Sequence, residues 1–389
     1  MENNKVEGEV LHLSASAGVA PERIVQDRII ELLRTKLGYE YLGNLSEREN
    51  TCLDRQALKE FLVGKQKLEP AYADRAIAEL AKRMACPSQA DLYSVNKEVY
   101  LTLRYPMPIA TEPGKPMKQV YFIDWQHPLE NNFSIAEEVT VRRQVAANGH
   151  RRPDVVIWVN GIALCVIELK KANVSVAEGI RQNYRNQQEG EIPAFFAAAQ
   201  LLMAGNESEG LKYATTLTPE KYWLKWKEPC GNPCAAPRWG KSEIKPLVDR
   251  LFAQMLDKER LLGFIHDGVV FDGGVKKVMR PAQFFALEAA KPRIMRKESG
   301  IIWHSQGSGK SLTMVWLAQW IKEHRPDARV VIITDRDELD KQITNGFKEA
   351  GEKPYRATSG ADLIATLNGS RERLITTLIH KFGANGPKE

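Results

Sequence analysis

The chain has 389 residues, of which 43% are hydrophobic and 27% are charged, and it carries a net charge of +6 with an isoelectric point near 8.9. This length predicts two to three domains with ample apolar material for a core, and the small basic excess permits nucleic-acid binding without requiring it. The N-terminus lacks the charged-then-apolar pattern of a signal segment, and no run approaches the ~18 apolar residues of a membrane span, so neither secretion nor membrane insertion is predicted.

The five cysteines form no even disulfide framework, and Cys165 falls in a predicted buried strand, so a reducing cytoplasm fits best. Cys230 and Cys234 are spaced like half of a zinc site. A structural zinc site needs four ligands, and no second pair lies near these two in the sequence. We therefore predict no zinc.

The first 145 residues change from helical to strand-like patterning. Apolar residues recur at helical spacing from residue 21 to 37, and Gly38 follows, which predicts an amphipathic helix. Residues 54–85 predict further helices. Proline- and glycine-containing turns then separate three predicted strands, Val99–Leu103, Val120–Ile123 and Ile135–Val141.

The most informative stretch, residues 153–170, is a predicted β-hairpin in which two apolar runs flank an Asn-Gly turn. Glu168 and Lys170 are two residues apart on the second strand and therefore share a face. A strict two-residue turn would point Asp154 away from Glu168, whereas a three-residue loop closed by Gly161 in a bulge would shift the parity. We predict the second register, which places Asp154 and Glu168 on one face.

Two carboxylates and a lysine on one face suit phosphodiester hydrolysis, in which hard oxygen ligands hold a divalent metal beside the scissile phosphate. Asp154 and Glu168 would hold Mg²⁺, and Lys170 would position the water or neutralise the transition state. The alternative is a strand edge with scattered charges, because this spacing alone is common. The apolar run Cys165–Ile167 ends abruptly at Glu168, a charge that a buried strand would not carry without a reason, so we favour the metal site.

After the hairpin, Ser175 and Glu178 form a capping-box pattern that starts a helix to about Gln188, with Gly190 past its end. Its polar face follows the catalytic strand directly and can reach a phosphate. Further elements are predicted as strands at 195–202 and 211–217, a helix start at 218–223, a loop at 229–240 and a helix at 245–262.

Glycines at positions 268, 273 and 274 then mark a linker region. We place the domain boundary there. The predicted division is an N-terminal endonuclease domain with helical elements, residues 1–262, and a partial helicase or ATPase domain, residues 263–389.

A second group of residues, from Ile301 to Ser311, predicts a phosphate-binding loop. A short apolar strand, Ile301–Trp303, leads into a glycine-bearing loop, and Lys310 and Ser311 open a helix. Backbone N–H groups of the loop and helix N-terminus would cradle phosphates, Lys310 would reach the β and γ phosphates, and Ser311 would ligate Mg²⁺. His304 replaces the first glycine of the strict motif, and two glycines close to the lysine are the form used by superfamily 2 helicases and translocases. The loop residues are Gly307, Ser308 and Gly309.

A segment upstream of the loop supports ATP as the nucleotide. Arg280 and Gln283 lie in a segment that resembles the upstream Q motif, whose glutamine reads adenine. The strand predicted at 330–334 is separated from the phosphate loop by one helix, so the acidic residues after it are not predicted to be the Mg²⁺-holding pair of a RecA-like motor. The next strand is predicted at 374–378.

These residues resemble a known family. The segment Arg152–Asp154, the Val-Asn-Gly turn and Ile167–Lys170 resemble the PD-(D/E)xK nuclease site of type I restriction enzyme R subunits (HsdR). The upstream segments Val120–Trp125 and Asn131–Phe133 look like that family's lead-in strand and loop. The stretch after residue 334 resembles a DNA-contacting motif of the family, so the resemblance covers about residues 95–385.

The resemblance implies the roles of individual residues. Asp154, Glu168 and Lys170 carry over as metal ligands and catalytic lysine. The opening helix of such nucleases can carry an acidic group, which Glu22 or Glu31 could supply, although a solvated helix face is the simpler explanation. Gln182 matches the start of a Gln-x-x-x-Tyr motif found in related nucleases and is predicted to contact DNA or phosphate, but Asn186 stands at the Tyr position and Tyr184 is out of register.

The predicted fold class is α/β, with a PD-(D/E)xK nuclease domain built on a mixed sheet flanked by helices, followed by an incomplete RecA-like parallel-sheet helicase domain. By resemblance the function is Mg²⁺-dependent cleavage of duplex DNA coupled to ATP-driven translocation, together with methyltransferase (M) and specificity (S) subunits. The alternatives are a repair-type nuclease-helicase and a non-catalytic DNA-binding fragment.

The sequence contains no Asp-Glu-Ala-His segment after residue 378, where the resembled family carries its Mg²⁺-holding pair. We therefore expect a truncated R subunit that binds ATP without turning it over. We also expect residues 320–389 to be the least stable part of the chain.

Overall fold

The structure is a computed structural model that describes residues 21–86, 91–110, 114, 116–145, 149–228, 244–369 and 372–382. The loop expected at 229–240, with Cys230 and Cys234, lies outside the described residues. Within them the strands are β1 (Glu40–Asn44), β2 (Met107–Ile109), β3 (Lys118–Val120), β4 (Phe133–Glu137), β5 (Val141–Arg142), β6 (His150–Arg151), β7 (Val155–Val159), β8 (Ile162–Leu169), β9 (Leu201–Asn206), β10 (Gly210–Ala214), β11 (Leu224–Lys225), β12 (Val269–Asp272), β13 (Val275–Val278), β14 (Val330–Thr334), β15 (Tyr355–Arg356) and β16 (Leu374–Leu378).

The α-helices of the same ranges pack around these strands. They are α1 (Pro21–Thr35), α2 (Arg55–Gly64), α3 (Pro70–Met84), α4 (Leu92–Arg104), α5 (Val176–Asn186), α6 (Leu247–Leu256), α7 (Lys258–Gly268), α8 (Pro281–Met295), α9 (Lys310–His324), α10 (Asp337–Glu349) and α11 (Gly360–Gly369). The fold is therefore α/β, as the sequence predicts.

A seven-stranded mixed sheet organises the N-terminal part, in the order β1-β4-β7-β8-β9-β10-β11. The pairs β1/β4 and β8/β9 are parallel, and the other neighbours are antiparallel. A Cβ atom on Gly179 of α5 would lie 3.2 Å from the Cβ of Glu168, and one on Gly205 would lie 3.0 Å from the ring of Phe252 in α6. Because Gly205 pairs with the residue after Glu168, helices α5 and α6 cover opposite faces of the sheet.

The hairpin β7–β8 has the predicted facing of Asp154 and Glu168, but a different feature produces it. Val159 pairs with Ile162 around a two-residue turn in which Asn160 and Gly161 both have positive φ, +51° and +78°. The predicted three-residue loop is therefore wrong. Asp154 and Glu168 lie on the same face because of a bulge farther along the hairpin. There Ile157 pairs with Cys165, while Trp158 pairs with Ala163.

Two predicted strands are not formed, and the one predicted at Val120–Ile123 is displaced, because β3 ends at Val120 and residues 121–123 form no strand. Residues 99–103 are the last turns of α4, whose N-cap Asp91 accepts hydrogen bonds from the next turn. Residues 301–303 form no strand, and Ile301 and Trp303 are each 90% exposed. Elsewhere, the expected strand at 195–202 begins as a 3₁₀ turn, Pro193–Ala197, before β9, and the expected helix at 245–262 is the pair α6 and α7, divided at Asp257.

A three-stranded parallel sheet, in the order β14-β16-β15, organises the C-terminal part. Helix α9 lies between this sheet and the N-terminal core. Trp316 and Trp320 on one side of α9 belong to the large N-terminal core, while Val315 and Ala318 on the other side pack with the core of the small sheet. One helix thus contributes side chains to two hydrophobic cores.

A buried lysine anchors the hairpin β12–β13 to the N-terminal part. The Nζ atom of Lys276 donates to Asn96 Oδ1 and Gln200 Oε1, each at 2.7 Å, and to the Ala199 carbonyl at 3.3 Å. Burial lowers the pKa of Lys276 well below its ordinary value. These contacts fix the hairpin against α4 and the start of β9.

Candidate active site

The end of the β7–β8 hairpin brings Asp154, Glu168 and Lys170 together. Asp154 immediately precedes β7, Glu168 is the penultimate residue of β8, and Lys170 follows β8. Asp154 Oδ2 accepts a hydrogen bond of 2.6 Å from the Leu169 amide and lies 3.5 Å from Lys170 Nζ. The three predicted residues therefore share one site.

Lys170 is held on several sides. Its Nζ atom donates to Glu22 Oε1 at 2.9 Å and to the Leu169 carbonyl at 2.8 Å, and the side chain is only 13% exposed. Glu22 lies in the first turn of α1, so the opening helix does bring a carboxylate to the site. Of the two candidates in that helix, the structure brings Glu22 to the site, whereas Glu31 pairs with Arg34.

Glu168 is fully buried, and neither of its carboxylate oxygens has a hydrogen-bond donor within the described residues. Burial raises the pKa of Glu168 well above its ordinary value, and the charge of Asp154, a hydrogen bond with Asp154 and the charge of Glu138 raise it further, while Lys170 opposes them. Unpaired buried carboxylates are costly. Such a group marks a place where another charge is expected.

The pKa values of the other two residues also depart from their ordinary values. Burial raises the pKa of Asp154, against the opposing effects of Lys170 and the Leu169 amide. Burial alone would lower the pKa of Lys170, but the charges of Asp154 and Glu168 and the contact with Glu22 raise it overall. Lys170 is therefore a persistent cation at neutral pH.

The donor set fits a hard divalent cation. The carboxyl groups of Asp154 and Glu168 interact with each other, which lowers the pKa of Asp154 and raises that of Glu168, and no basic or amide group among the described residues donates to Glu168. Mg²⁺ binds through one or two carboxylates and keeps several waters, so this pair is sufficient. A bound cation would offset the electrostatic cost of burying the ionised Glu168 carboxylate.

Sequence reasoning missed a second acidic group beside this site. Glu137 ends β4 and is buried, and Glu138 follows it. Gln26 of α1 donates to both carboxylates, at 3.1 and 3.2 Å, and to the Asp154 carbonyl at 3.4 Å. The available signal was an apolar strand that ends in two consecutive acids, the same feature that singled out Glu168.

The predicted phosphate loop has the expected helix but no preceding strand. Gly307 and Gly309 have φ values of +75° and +85°, and Gly309 caps α9. Lys310 Nζ donates to the carbonyls of His304 and Ser305 at 3.3 and 3.1 Å. The lysine thus bonds to its own loop.

The Q-motif residues contact the same loop. Gln283 Nε2 donates to the Gly309 carbonyl at 3.0 Å, and an Arg280 guanidinium nitrogen donates to the Gly307 carbonyl at 3.4 Å. A Cβ atom on Gly309 would lie 2.5 Å from Gln283 Nε2, so a side chain there would force Gln283 to move. The structure therefore brings Arg280 and Gln283 to the loop.

The remaining predicted site residues are also placed. Ser308 Oγ donates to the Ser305 carbonyl at 2.7 Å, and Ser311 is the second residue of α9. Gln182 is partly exposed on α5, beside the exposed Arg181. Nothing in these contacts assigns Gln182 a ligand.

A further group of potential metal ligands, His266, Asp267 and Glu323, lies where α7 meets the end of α9. Its carboxylates already have cationic partners. Lys291 lies 2.6 Å from Asp267, and Arg104 lies 2.7 Å from Glu323. We assign it no metal, because a cation would have to displace both basic side chains.

The sequence matches two family models. The model of the type I restriction enzyme R protein N terminus covers residues 20–221, more than half of the chain and all of the acidic site. The chain belongs to this R protein family. The SWI2/SNF2 ATPase model covers residues 282–389, the part that contains the phosphate loop, so this R-family chain pairs a nuclease region with a helicase-like region.

Curated relatives of this R-family chain agree. It is 24% identical to a candidate type I restriction enzyme MjaIXP endonuclease subunit of Methanocaldococcus jannaschii, over 96% of the chain and 38% of the relative. It is 26% identical to the HindI endonuclease subunit of Haemophilus influenzae, over 82% and 32%, and 27% identical to the SsaAORF53P endonuclease subunit of Staphylococcus saprophyticus, over 72% and 29%. The aligned region spans about a third of each relative's length.

None of the helices in the described ranges combines the length and apolar character that crossing a bilayer requires.

Proposed function

We propose that the chain acts as the nuclease and motor region of a type I restriction enzyme R subunit, cleaving duplex DNA with Mg²⁺ after ATP-driven translocation. The observation that carries this proposal is the buried Glu168 carboxylate, which has no donor and lies beside Asp154 and Lys170. Membership of the R family supplies the reaction class. The proposed folds are a PD-(D/E)xK nuclease and a RecA-like helicase domain, divided at residues 262 and 263.

In this proposal Asp154 and Glu168 hold Mg²⁺. When bound, the cation supplies positive charge that activates water and stabilises the charge developing on the phosphate. Lys170 remains protonated and donates a hydrogen bond toward the scissile phosphate. Glu22 and the Leu169 carbonyl fix its ammonium group before DNA arrives, so little reorganisation is needed during the reaction.

The nucleotide is ATP, bound by the phosphate loop. Lys310 exchanges its two loop carbonyls for the β and γ phosphates, and Ser311 ligates the nucleotide's Mg²⁺. Arg280 and Gln283 hold the loop from the start of α8, and Gln283 exchanges its bonds with the Arg280 amide and the Gly309 carbonyl for the adenine. The N–H groups of Gly307, Ser308 and Gly309 and the first turn of α9 cradle the phosphates.

DNA and two kinds of protein are the proposed partners. The M and S subunits supply methylation and sequence recognition, and all three subunits work in the cytoplasm. Gln182 on α5 contacts DNA or its phosphates, because that helix follows β8 and lies over Glu168.

The test is supercoiled-plasmid cleavage by the assembled enzyme, with and without M and S subunits, ATP and Mg²⁺. Glu168→Gln keeps the side-chain shape and removes the charge, so cleavage should be lost. Glu178→Gln is the matched control, because Glu178 is exposed on α5 and pairs with Arg181. Cleavage that survives in Glu168→Gln, or that proceeds without added Mg²⁺ and in EDTA, would contradict the proposal.

A further inference from the structure

The strand pairing that carries Asp154 continues past the nuclease site. Beyond the last residue pair of β4 and β7, the Glu138 amide donates to the Asp154 carbonyl at 2.9 Å. Strands β5 and β6, which follow β4 and precede β7 along the chain, then pair with each other in antiparallel register. We call residues 140–145 and 149–152 the β5–β6 ribbon. The ribbon is therefore a direct extension of the strands that form the site.

Glu191 anchors one face of the ribbon. The Arg151 guanidinium lies 2.5 and 2.8 Å from its two carboxylate oxygens, and Arg143 Nε lies 3.1 Å from one of them. The Glu191 carbonyl also accepts a hydrogen bond of 2.8 Å from the Gln144 amide. Because Glu191 follows helix α5, these contacts fix the ribbon to the body of the protein.

The opposite face of the ribbon carries exposed basic side chains. Arg142 lies directly opposite His150. At the next position of the ribbon, Arg152 Nε donates to Thr140 Oγ1 at 3.2 Å. Since side chains alternate along each strand, Arg142, His150 and Arg152 share this face, and all three are exposed. The face turned away from Glu191 is therefore basic and open to solvent.

These basic side chains have few acidic partners. The Arg142 side chain has no hydrogen-bond or ion-pair partner among the residues that the structure describes. The closest approach of Arg152 to an acid is 3.9 Å, from its Nη1 atom to Glu138 Oε2. His150 lies 3.2 Å from Glu49. Arg142 and Arg152 therefore keep guanidinium donors for a ligand outside the chain.

A further arginine lies beside this face. Arg55 is the first residue of α2, is exposed, and lines the same surface depression as Arg142. Within the described ranges its side chain also lacks a hydrogen-bond or ion-pair partner. A guanidinium group presents paired donors that match the oxygens of a phosphate, so arginines of this kind are suited to bind a phosphate backbone.

The ribbon lies within reach of a duplex bound at the nuclease site. His150 precedes Asp154 by four residues, so at ~3.3 Å per residue Arg142, which lies opposite His150, is at most about 13 Å along the strand from Asp154. Each strand of a duplex carries one phosphate per ~3.4 Å of its axis. A duplex whose scissile phosphate lies at Asp154 would thus bring its neighbouring phosphates to the ribbon.

We propose that the β5–β6 ribbon binds the phosphate backbone of the duplex on which the nuclease acts, through Arg142 and Arg152, with Arg55 beside them. This inference rests on the proposed nuclease function and assigns the surface that holds DNA against the acidic site. Glu191 is a positioning residue, because it fixes the other face of the ribbon. Contacts to the backbone carry no sequence information, which suits a chain whose proposed sequence recognition belongs to a separate subunit.

The experiment measures binding of a short fluorescent duplex to the 389-residue chain by anisotropy, in EDTA and at several salt concentrations. Arg142→Gln and Arg152→Gln should each lower the slope of log affinity against log salt by ~0.9, because one phosphate contact is lost. The same loss corresponds to about eightfold weaker binding at ~0.1 M salt. Two duplexes of unrelated sequence should show equal losses.

Two variants serve as controls. Arg142→Lys keeps the positive charge and should retain the natural slope. Arg34→Gln removes the same charge from an exposed arginine of α1, which lies twelve residues, or ~18 Å along the helix, from Glu22, and it should also leave the slope unchanged. DNA contacts elsewhere in the chain contribute equally to all variants, so the differences between slopes report on the ribbon.

Thermal unfolding of each variant confirms that it is folded, and the exposure of Arg142 and Arg152 favours this outcome. A natural slope in both ribbon variants would overturn the inference. Equal losses in Arg34→Gln and Arg142→Gln would also overturn it, because the effect would then follow the net charge of the chain rather than a contact.

The plasmid assay with Glu168→Gln separates this inference from the proposed function. If Glu168→Gln abolishes cleavage while the ribbon variants bind duplex as the natural chain does, the nuclease site stands and only the role of the ribbon fails. If Glu168→Gln cleaves normally, the assigned nuclease site fails, and with it the role of the ribbon in holding DNA there.

Discussion

The two lysines assigned to chemistry are held in different ways. Lys170 is largely buried and fixed by Glu22, by the Leu169 carbonyl and by the charge of Asp154. Lys310 is exposed and bonds to two carbonyls of its own loop. The nuclease lysine is thus positioned before substrate arrives, whereas the nucleotide lysine must give up its contacts to bind phosphate.

The largest expected effect is on DNA cleavage. Asp154→Ala, Glu168→Ala and Lys170→Ala should each reduce cleavage by the assembled enzyme at least ~10³-fold, because each removes a group that acts on the reacting phosphate. Nucleotide binding should be unchanged, since the phosphate loop lies in a different part of the chain. Plasmid cleavage and nucleotide titration measure the two properties. Retained cleavage in any one variant removes that residue from the site.

The next effect concerns the nucleotide. Lys310→Ala should weaken ATP binding by about 1.5–3 kcal/mol, or roughly 10- to 150-fold, because a charge-assisted contact with phosphate is lost. Calorimetry of the 389-residue chain measures it. In the assembled enzyme the same variant should stop cleavage of unmodified DNA, and undiminished restriction would contradict the coupling of motor and nuclease.

The comparison also predicts that the two lysines contribute unequally to stability. Lys170→Met should lower the free energy of unfolding by ~1–3 kcal/mol, because it leaves the largely buried Asp154 carboxylate without its cationic partner. Lys310→Met should change that free energy by less than about 0.5 kcal/mol, since Lys310 is exposed. Urea unfolding of both variants tests the difference. Equal effects would show that the two lysines are not held differently.

The last prediction concerns the pH dependence of stability. Because the folded-state pKa of Glu168 is raised, the folded chain keeps a proton that the unfolded chain loses above a pH of about 4.3. The metal-free chain should therefore lose stability as pH rises from there toward the folded pKa, by at most about 1.4 kcal/mol per pH unit for this group.

Glu168→Gln should make the free energy of unfolding less dependent on pH. The measurement is urea unfolding between pH 5 and 8 in EDTA, with Glu178→Gln as the control. Asp154, whose pKa is also raised, contributes a dependence of the same sign in both proteins. If Glu168→Gln leaves the slope of unfolding free energy against pH unchanged, the raised pKa of Glu168 is not the cause of that slope.

The hairpin shows which structural features could be predicted from the sequence and which could not. Two apolar runs on either side of the Asn-Gly turn predicted the strands β7 and β8, and the chemistry required Asp154 and Glu168 on one face, which the structure has. The bulge beside Leu164 could not be located from the sequence, because all residues of β8 are buried and a buried strand carries no alternating pattern to reveal a slip.

Helix α4 was misread for a related reason. Residues 99–103 alternate like a strand, but over the longer stretch from Leu92 to Leu103 the buried positions follow helical spacing behind the cap Asp91. Glu138 and Gln26 were missed because they meet across 112 residues, a distance that local patterns do not span. The sequence thus located the acids of the hairpin but not the groups brought to them from elsewhere.

Helix α9 limits how modular this chain can be. Trp316 and Trp320 fill the core of the N-terminal part although they belong to the helix that Lys310 begins. An excised nuclease region that ends before α9 would expose the surface on which these two indoles pack, and such a patch promotes aggregation. Recombination that exchanges motors among nucleases would therefore have to preserve two tryptophans on the incoming helix, which ties the inheritance of one region to that of the other.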